Sequence, residues 1–327
     1  MKKFLIIQPA FIGDVILATA LIEKLAKFYP QVQIDFFLRK GNEIILSNNP
    51  HINRIFIWDK KHNKYRHLFR LIRQIRDTKY DSVINLQRFF SSGYLTFKSG
   101  ANEKVGYAQN PFSFCYAKKK SFSVENGLHE VERNQKLIAH LTDDKPAKPR
   151  IYPSENDFAA LPPINEPFVT IAPASVWFTK QFPKAQWIKF LNQYLPKAYP
   201  VFLLGSSQDK QLCEDIKKAT EGRKIENLAG KLSLLQSAAL MSKAKMNYVN
   251  DSAPLHLASA MDAPVTAVFL STLPSFGFGP LSTNSKIVEV TEKLPCRPCG
   301  LHGKKACPQK HFDCAYKIDL NDFIRPI

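Results

Sequence analysis

Two short apolar segments flank a helix with a polar start, and this arrangement constrains the fold more than any other feature of the chain. Met246–Val249 and Val265–Phe269 have the continuous hydrophobicity of strands that are buried on both faces, which is typical of parallel sheets. Asn250–Ala260 lies between them, and Asp251 and Ser252 at its start are good helix caps. The pattern predicts a β-α-β unit, in which the helix either is simply capped or presents its free N–H groups to an anion.

A similar strand-to-helix transition lies at the N-terminus. Phe4–Ile7 is an apolar strand, Gly13 suits a tight turn or the close approach of a ligand, and a helix with an apolar face follows. Asp14 therefore lies at the carboxyl end of the first strand, where ligands bind in open α/β sheets, although a carboxylate there can also serve only as a cap. One glycine in place of three excludes the dinucleotide-binding fingerprint.

Strand and helix patterns alternate along the whole chain. We expect strands at residues 3–7, 34–38, 55–58, 82–86, 168–172, 201–204, 224–227, 246–249 and 265–269, and helices from 14 and near 43–47, 65–78, 183–195, 208–220, 232–242 and 253–261. A proline-rich stretch at 161–167 separates two series. The sequence thus predicts an α/β fold of two Rossmann-like, doubly wound domains with a cleft between them, at residues 1–160 and 165–317. We expect a tail at 318–327 that packs back on the N-terminal domain.

Basic residues outnumber acidic ones by 46 to 28, a net charge of +18. This excess favours a polyanionic partner such as nucleic acid, anionic lipid or a phosphorylated glycolipid. Many of the cations lie in Lys60–Arg76, where apolar residues recur at helical spacing and leave a basic face opposite. This face either is solvated or approaches an anionic membrane or acceptor. No recognised nucleic-acid module accompanies it, so we expect no nucleic-acid partner.

The chain has no pattern typical of a membrane span or a secretory signal. Leu5–Ile22 is the best apolar run, and it contains Asp14. Met1–Lys3 precedes only four apolar residues, too few for a signal peptide. We expect a cytoplasmic protein whose membrane contact is peripheral.

A polar loop follows the first strand of the second series. Ser175 and Thr179 can donate hydroxyl hydrogen bonds to a phosphate, and Lys180 supplies a compact positive charge. Pro183 then suits the first turn of a helix. The loop is either structural or a phosphate site, and its position at the carboxyl end of a strand favours the phosphate site.

Four cysteines cluster near the C-terminus: Cys296, Cys299, Cys307 and Cys314. A CxxC pair followed by two further cysteines is compatible with a structural zinc ion. Free thiols in a reducing cytoplasm are the alternative.

Three blocks of the chain resemble those of the ADP-heptose:lipopolysaccharide heptosyltransferases, and of heptosyltransferase II in particular. They are Gly13–Thr19, Thr179–Pro183 and Asn250–His256, and further similarity at 50–55, 99–107 and 129–134 extends the resemblance over nearly the whole chain. The resemblance implies the GT-B fold, with the acceptor bound by the first domain and the nucleotide sugar by the second. It also implies an inverting transfer of heptose from ADP-heptose to the lipopolysaccharide inner core at the inner face of the inner membrane, with no cofactor required for catalysis.

The resemblance also assigns roles to individual residues. Asp14 becomes the general base, and Lys180 neutralises charge on the departing ADP. The donor site comprises Ser175, Thr179, Lys180, Asp209, Leu232, Asp251, Ser252, Ala253 and His256. Gly13, Asp14, Lys64, Arg66 and Arg70 form the acceptor side. Asp209 can also be a simple helix cap, and Leu232 a core residue.

Two departures from the family pattern bear on specificity. Gln8 stands where the family usually has an arginine, which removes a charge from the acceptor side. Ala253 replaces a glycine, and Pro254 after it lacks an N–H that could bind phosphate. The alternatives are therefore a glycosyltransferase with another nucleotide sugar, a non-catalytic nucleotide-sugar or glycolipid binder, and a zinc-containing protein associated with nucleic acid.

Overall fold

The chain folds as two compact units, Met1–Tyr152 and Pro153–Ile327. The computed structural model describes residues 1–220 and 222–324. The division falls ahead of the proline-rich stretch at 161–167, because a short helix that precedes this stretch packs on the second unit.

The first unit is a parallel six-stranded sheet with helices. Its strands are β1 (Lys3–Ile7), β2 (Gln33–Arg39), β3 (Ile52–Trp58), β4 (Ser82–Asn85), β5 (Glu103–Tyr107) and β6 (Lys118–Lys120), and its helices are α1 (Ile12–Phe28), α2 (Lys64–Thr78), α3 (Phe90–Lys98) and α4 (Glu130–Ile138). The strand order is β3-β2-β1-β4-β5-β6. The order reverses between β1 and β4, so a ligand crevice is expected at their carboxyl ends.

The second unit repeats this plan. Its strands are β7 (Val169–Ala172), β8 (Val201–Leu203), β9 (Ile225–Asn227), β10 (Met246–Asn250), β11 (Val265–Phe269) and β12 (Ser285–Glu289), and its helices are α5 (Glu155–Ala159), α6 (Lys184–Gln193), α7 (Lys210–Lys218), α8 (Leu234–Lys243), α9 (Ala253–Ala260) and α10 (Asp313–Tyr316). The order is β12-β11-β10-β7-β8-β9, with the reversal between β7 and β10. The predicted doubly wound α/β architecture is confirmed in both units.

Aromatic side chains fill the core of the second unit. Trp187 and Phe190 of α6 pack with Phe182 and with Tyr248 of β10. Phe323 joins them, with its ring centroid 5.0 Å from that of Phe190. The first residues of the expected C-terminal tail thus pack within the second unit, while residues 325–327 lie outside the described part of the chain.

Several elements differ from the sequence prediction. The helix expected near 43–47 is a short 3₁₀ turn, Glu43–Leu46. The pattern did not predict β5, β6, β12, α3 or α4. Within residues 1–220 and 222–324, no helix has the length and apolar character needed to cross a bilayer.

Candidate active site

Asp14 lies at the start of α1, directly after β1. Its carboxylate oxygen Oδ2 accepts a hydrogen bond of 3.1 Å from the backbone N–H of Phe11, so it caps the free N-terminus of the helix. The side chain is half-buried, so it keeps an accessible face. Asp14 therefore caps the helix, which the sequence predicted as one alternative. Its accessible face still allows the carboxylate to contact a substrate.

The surroundings of Asp14 favour its protonated form. Burial and, to a smaller extent, the negative charge of Glu130 raise the pKa of Asp14 to about 7, against the lowering effects of the backbone hydrogen bonds and Arg39. A carboxylate whose pKa lies near neutral pH accepts a proton readily and can release it again. The site therefore has the protonation chemistry of a general base.

Glu130 is itself held in a buried ion pair at the start of α4. Arg133 donates to the same carboxylate oxygen through Nε at 3.0 Å and lies 2.9 Å from it through Nη2. Burial raises the pKa of Glu130, while the adjacent Arg133 guanidinium lowers it. Sequence reasoning missed Glu130, because a buried acidic residue in a charged helix looks like a surface position.

Two cationic side chains and a pair of hydrogen-bonded glutamines lie at the carboxyl edge of the first sheet, where Asp14 also lies. The guanidinium of Arg39 lies 4.9 Å from the Phe11 ring centroid. Lys60 donates a 2.7 Å hydrogen bond to the carbonyl of Pro9, and burial together with Arg39 and Lys64 lowers its pKa. Gln8 accepts a 2.6 Å hydrogen bond from Gln87. Arg39 and Lys60 thus bring positive charge to this edge; the sequence analysis included Lys60 in the basic segment but did not identify Arg39.

The predicted acceptor cations lie on α2. Arg66 and Arg70 line a groove of about 860 Å³ together with Arg73 and His67. Lys64 lies with its amine 5.1 Å from the Tyr65 ring centroid, at the start of the same helix. The groove carries positive charge that suits a phosphate.

In the second unit, residues from two of the sequence blocks meet at the carboxyl edge of the sheet. The Lys180 amine lies 2.7 Å from Oδ2 of Asp251. Thr272, after β11, donates a 2.7 Å hydrogen bond to the same oxygen. Asp251 is buried and Lys180 is only partly exposed. This arrangement fixes a lysine ammonium beside the β7–β10 switch point, where a diphosphate can approach it.

The hydroxyl of Thr179 is hydrogen-bonded to a neighbouring loop. Its hydroxyl accepts hydrogen bonds from the backbone N–H of Lys304 at 2.7 Å and from the hydroxyl of Ser271 at 3.0 Å, and the residue is 1% exposed. Gly303 has φ of +78°, and a Cβ added there would lie 3.0 Å from Cγ of Lys180. The segment around 303–304 therefore supports the turn that carries Lys180.

Asn250, the last residue of β10, holds the loop after β7 in place. Its amide nitrogen donates to the carbonyls of Ala172, Pro173 and Ala174 at 3.3, 2.9 and 3.3 Å. Its amide oxygen accepts a 2.9 Å hydrogen bond from the N–H of Phe182. One buried side chain thus holds both ends of the loop, a role that no pattern in the sequence predicted.

Four of the remaining predicted donor-site residues lie in the loop after β7 and at the start of α9: Ser175, Ser252, Ala253 and His256. Ser252 is the N-cap residue of α9, Ala253 is the first residue of that helix, and His256 is buried one turn later. The backbone N–H of Ser175 donates to Gln181 at 3.3 Å. Ser175 is therefore held by Gln181, next to Ala174, whose carbonyl accepts from Asn250.

Asp209 and Leu232 follow β8 and β9. Asp209 accepts hydrogen bonds of 2.7 Å from both the backbone N–H and the hydroxyl of Ser206, which is the capping role that the sequence left open. Leu232 is half-buried and immediately precedes Ser233, the N-cap residue of α8. Their loops adjoin, since Gly230 donates a 2.9 Å hydrogen bond to the carbonyl of Gly205.

Comparison with known proteins decides the family. The model of glycosyltransferase family 9 (heptosyltransferase) matches residues 68–309. The chain belongs to glycosyltransferase family 9. A curated member, lipopolysaccharide heptosyltransferase 3 of Escherichia coli K12, is 30% identical over 279 residues, covering 80% of this chain and 80% of the relative.

Solved structures confirm the GT-B fold of this family 9 enzyme. A family 9 glycosyltransferase from Veillonella parvula superposes with a TM-score of 0.80 at 22% identity, covering 88% of this chain and 85% of that one. The ADP-heptose lipopolysaccharide heptosyltransferase II of E. coli gives 0.75 at 22% identity, with 96% and 97% covered. The chain is therefore a glycosyltransferase related to the enzymes of lipopolysaccharide core biosynthesis.

The predicted zinc site is not supported. Cys296, Cys299, Cys307 and Cys314 line a cavity of about 430 Å³. Among residues 1–220 and 222–324, no group of three or more His, Cys, Asp or Glu side chains is arranged to hold a metal ion. Cys314 is also buried in the apolar core through α10. The spacing of cysteines along the sequence does not determine whether their side chains form a metal site.

Proposed function

We propose that this family 9 enzyme transfers heptose from ADP-heptose to the inner core of lipopolysaccharide, with inversion at the anomeric carbon. The observation that carries the proposal is the state of Asp14, a capped and half-buried carboxylate with its pKa near 7 at a switch point. Family membership and the names of the relatives support heptose as the sugar and lipopolysaccharide as the acceptor.

In this mechanism, Asp14 takes the proton from an acceptor hydroxyl as that oxygen attacks the anomeric carbon. The bond between the anomeric carbon and the β-phosphate oxygen breaks in the same step, and ADP leaves with the electron pair. The proton remains on Asp14 until solvent removes it, which a pKa near 7 makes easy. A single displacement accounts for inversion and requires no covalent intermediate and no cofactor.

Lys180 neutralises the charge that develops on the departing diphosphate. Because Asp251 already pairs with Lys180, the ammonium is positioned before the donor binds. Ser252, Ala253 and the N-terminus of α9 offer backbone N–H groups to the phosphates, and His256 borders them. Ser175 completes the phosphate side, whereas Thr179, whose buried hydroxyl is bonded to Lys304 and Ser271, supports the turn that carries Lys180 instead of meeting the phosphate as the sequence predicted. Asp209 and Leu232 contact the ribose and the base.

The acceptor is a phosphorylated glycolipid, which the first unit binds near Gly13 and Asp14. Lys64, Arg66 and Arg70 attract its anionic groups toward the groove on α2. The enzyme works in the cytoplasm, at the inner face of the inner membrane, and its contact with that membrane is peripheral.

The test is a transfer assay with ADP-heptose and heptose-deficient lipopolysaccharide, followed by mass spectrometry of the acceptor. We expect a mass increase of one heptose and stoichiometric release of ADP. Lipopolysaccharide that already carries a first heptose serves as a second acceptor and distinguishes the addition step. ADP binding without any transfer to either acceptor would contradict the proposed sugar and direct the assay to other ADP-linked sugars.

A further inference from the structure

Six aromatic rings form one continuous group on the first unit, and the proposed chemistry does not use them. This aromatic cluster consists of Phe69, Phe90, Tyr94, Phe97, Phe112 and Phe114. Successive ring centroids lie 5.1 to 6.3 Å apart, from Phe69 through Tyr94 and Phe90 to Phe112, Phe97 and Phe114. Residues from α2, α3 and the turn at 113–115 thus share one apolar surface.

Much of the aromatic cluster faces solvent. Phe114 is 72% exposed, Phe90 63% and Phe69 49%. Phe89, next to the cluster, is 67% exposed. Isolated exposed apolar residues are common, whereas a contiguous apolar patch on a protein surface usually marks a site of interaction.

Positive charge surrounds the aromatic cluster. Residues 60–120 contain fourteen Lys or Arg against three Asp or Glu, which gives +11 of the chain's net +18. Phe69 lines the α2 groove with Arg70 and Arg73, and the Lys98 amine lies 5.0 Å from the Phe97 ring centroid. Lys118–Lys120 form an exposed strand on the same unit. An exposed aromatic group within a basic region matches the chemistry of an anionic lipid surface.

The aromatic cluster begins at the edge of the sheet where the candidate base lies. Phe89 and Phe90 open α3 directly after β4, the strand next to β1. Asn110 holds this turn by donating to the carbonyls of Gln87 at 3.0 Å and Phe89 at 3.2 Å. Because Gln87 also bonds to Gln8 at the end of β1, the turn is tied to the strand that leads to Asp14.

We propose that the aromatic cluster and its basic border form a membrane anchor that inserts between the headgroups of an anionic bilayer. The inference rests on the proposed function, in which the acceptor is a glycolipid held in that bilayer. Insertion at this edge presents the sugars of the glycolipid to the first unit. The basic helix attracts the enzyme to the surface, and the exposed rings supply the apolar contact that retains it there.

The packing of the rings favours a bilayer over nucleic acid. A single-stranded nucleic acid stacks its bases on free aromatic faces. Here the rings contact one another, edge to face where Phe90 and Tyr94 meet Phe112 and stacked where Phe90 meets Tyr94. They form one shared apolar surface, which suits insertion among acyl chains and headgroups.

Vesicle co-sedimentation tests the anchor in the full chain. Vesicles of phosphatidylethanolamine with phosphatidylglycerol provide the anionic surface, and phosphatidylcholine vesicles provide the neutral one. We expect the wild type to prefer the anionic vesicles, and the double variant Phe90→Ser/Phe114→Ser to lower the partition coefficient about tenfold or more. The matched control is Phe28→Ser/Tyr316→Ser, which removes two exposed aromatic rings elsewhere and is expected to bind within about twofold of wild type.

A second measurement locates the cluster within the bilayer. Phe114→Trp places an indole at its most exposed position, and brominated lipids are expected to quench the added fluorescence. Equal vesicle binding by the Phe90→Ser/Phe114→Ser variant and the wild type, or an unquenched Trp at 114, would overturn the anchor. If the wild type instead prefers RNA over anionic vesicles, the aromatic cluster is a nucleic-acid surface, and this result would also overturn the membrane anchor.

Transfer to a deacylated, water-soluble acceptor separates this inference from the proposed function. The Phe90→Ser/Phe114→Ser variant is expected to keep wild-type turnover on that acceptor and to lose turnover on vesicle-embedded acceptor. An enzyme that transfers heptose to the soluble acceptor and ignores vesicles would refute the anchor alone. An enzyme that binds vesicles through the cluster and transfers no heptose to either acceptor would refute the proposed sugar transfer alone.

Discussion

The two sheets place their key carboxylates beside opposite charges. In the first unit, burial and, to a smaller extent, the negative charge of Glu130 raise the pKa of Asp14 to about 7, while its backbone hydrogen bond with Phe11 lowers it. Asp251 in the second unit meets the Lys180 ammonium at 2.7 Å and the Thr272 hydroxyl at the same distance. The difference teaches that one topology, used twice, can place a carboxylate of raised pKa at one switch point and a carboxylate paired with a lysine at the other; under the proposed function these are the proton acceptor and the phosphate support.

The largest effect is expected from Asp14→Asn. The amide keeps the shape of the side chain and cannot accept the proton, so kcat for sugar transfer should fall by about 10³-fold. ADP-heptose binding, measured by calorimetry, should stay unchanged because the donor residues lie in the second unit. Asp144→Asn, in an exposed loop, is the matched control and should keep full turnover. Full turnover by Asp14→Asn would show that another group acts as the base.

Lys180→Ala tests the second unit, where Lys180 pairs with Asp251. Loss of the ammonium should lower kcat/KM by about 10²-fold and weaken binding of ADP, because the diphosphate loses its charged partner. The matched control is Lys184→Ala, which removes a lysine paired with Asp215 at 2.8 Å on the exposed face of α6. The control should change kcat/KM by less than about twofold. An equal change of kcat/KM in Lys180→Ala and Lys184→Ala would show that Lys180 does not stabilise the departing diphosphate.

The stability of Asp14→Asn sharpens the contrast between the two carboxylates. The folded state binds the Asp14 proton more tightly than the unfolded state, whose pKa is near 3.8. Ionised Asp14 therefore destabilises the fold progressively as the pH rises from about 4 to about 7. The variant should be more stable than wild type at pH 8 by about 2 kcal/mol, after allowance for the exposed face, and equal to it near pH 4. Thermal melts followed by circular dichroism at both pH values measure the difference, and a variant less stable at pH 8 would contradict it.

Gly303→Ala tests the support behind Lys180. A Cβ at φ +78° is strained and would lie 3.0 Å from Cγ of Lys180 and 3.1 Å from the Thr179 hydroxyl. Displacement of this turn should weaken ADP binding by about fivefold, measured by calorimetry. Gly300→Ala is the matched control, since Gly300 also has positive φ but has open space around its Cβ position. Equal ADP affinities of the two variants would show that the contact between residue 303 and the turn that carries Lys180 does not affect ADP binding.

The smallest expected effect is a pair of opposite shifts in the pH profile. Removal of the negative charge in Glu130→Gln should lower the pKa of Asp14, and removal of the positive charge in Arg39→Gln should raise it. At pH 6, kcat/KM should therefore rise about threefold in the first variant and fall about threefold in the second. Profiles of kcat/KM from pH 5 to 9 provide the measurement. Shifts in the same direction would show that structural change outweighs charge.

The sequence predicts the buried strands well because their signal is continuous hydrophobicity. It misses α4 because polar residues that include Glu130, Arg133 and Asn134 are buried among Val131, Leu137 and Ile138, so the apolar period of its inward face is interrupted. It misses β6 because three consecutive lysines look like a solvated segment, whereas an edge strand accommodates them by pairing only its backbone with β5. In both cases tertiary contacts override the local pattern.

The sites show the same limit. Asp14, Lys180 and Asp251 are accessible to sequence reasoning because each follows a predicted strand. Arg39 and Glu130 are not, since their effect on Asp14 depends on how β2 and α4 pack around α1. The zinc prediction is not supported for a related reason, because the spacing of cysteines along the chain does not determine how their side chains are arranged in the fold.

Asn250 fastens the loop after β7 only at its two ends, at 172–174 and at Phe182. The tip between them is comparatively open, with Val176 82% exposed and Phe178 48% exposed. Because only the ends of this loop are held by Asn250, its tip can be exchanged for that of a relative while β7 before it and α6 after it keep their positions. Under the proposed function, in which this loop contacts the donor, exchange of residues 175–178 should change donor preference while Asn250 keeps the two ends of the loop in place.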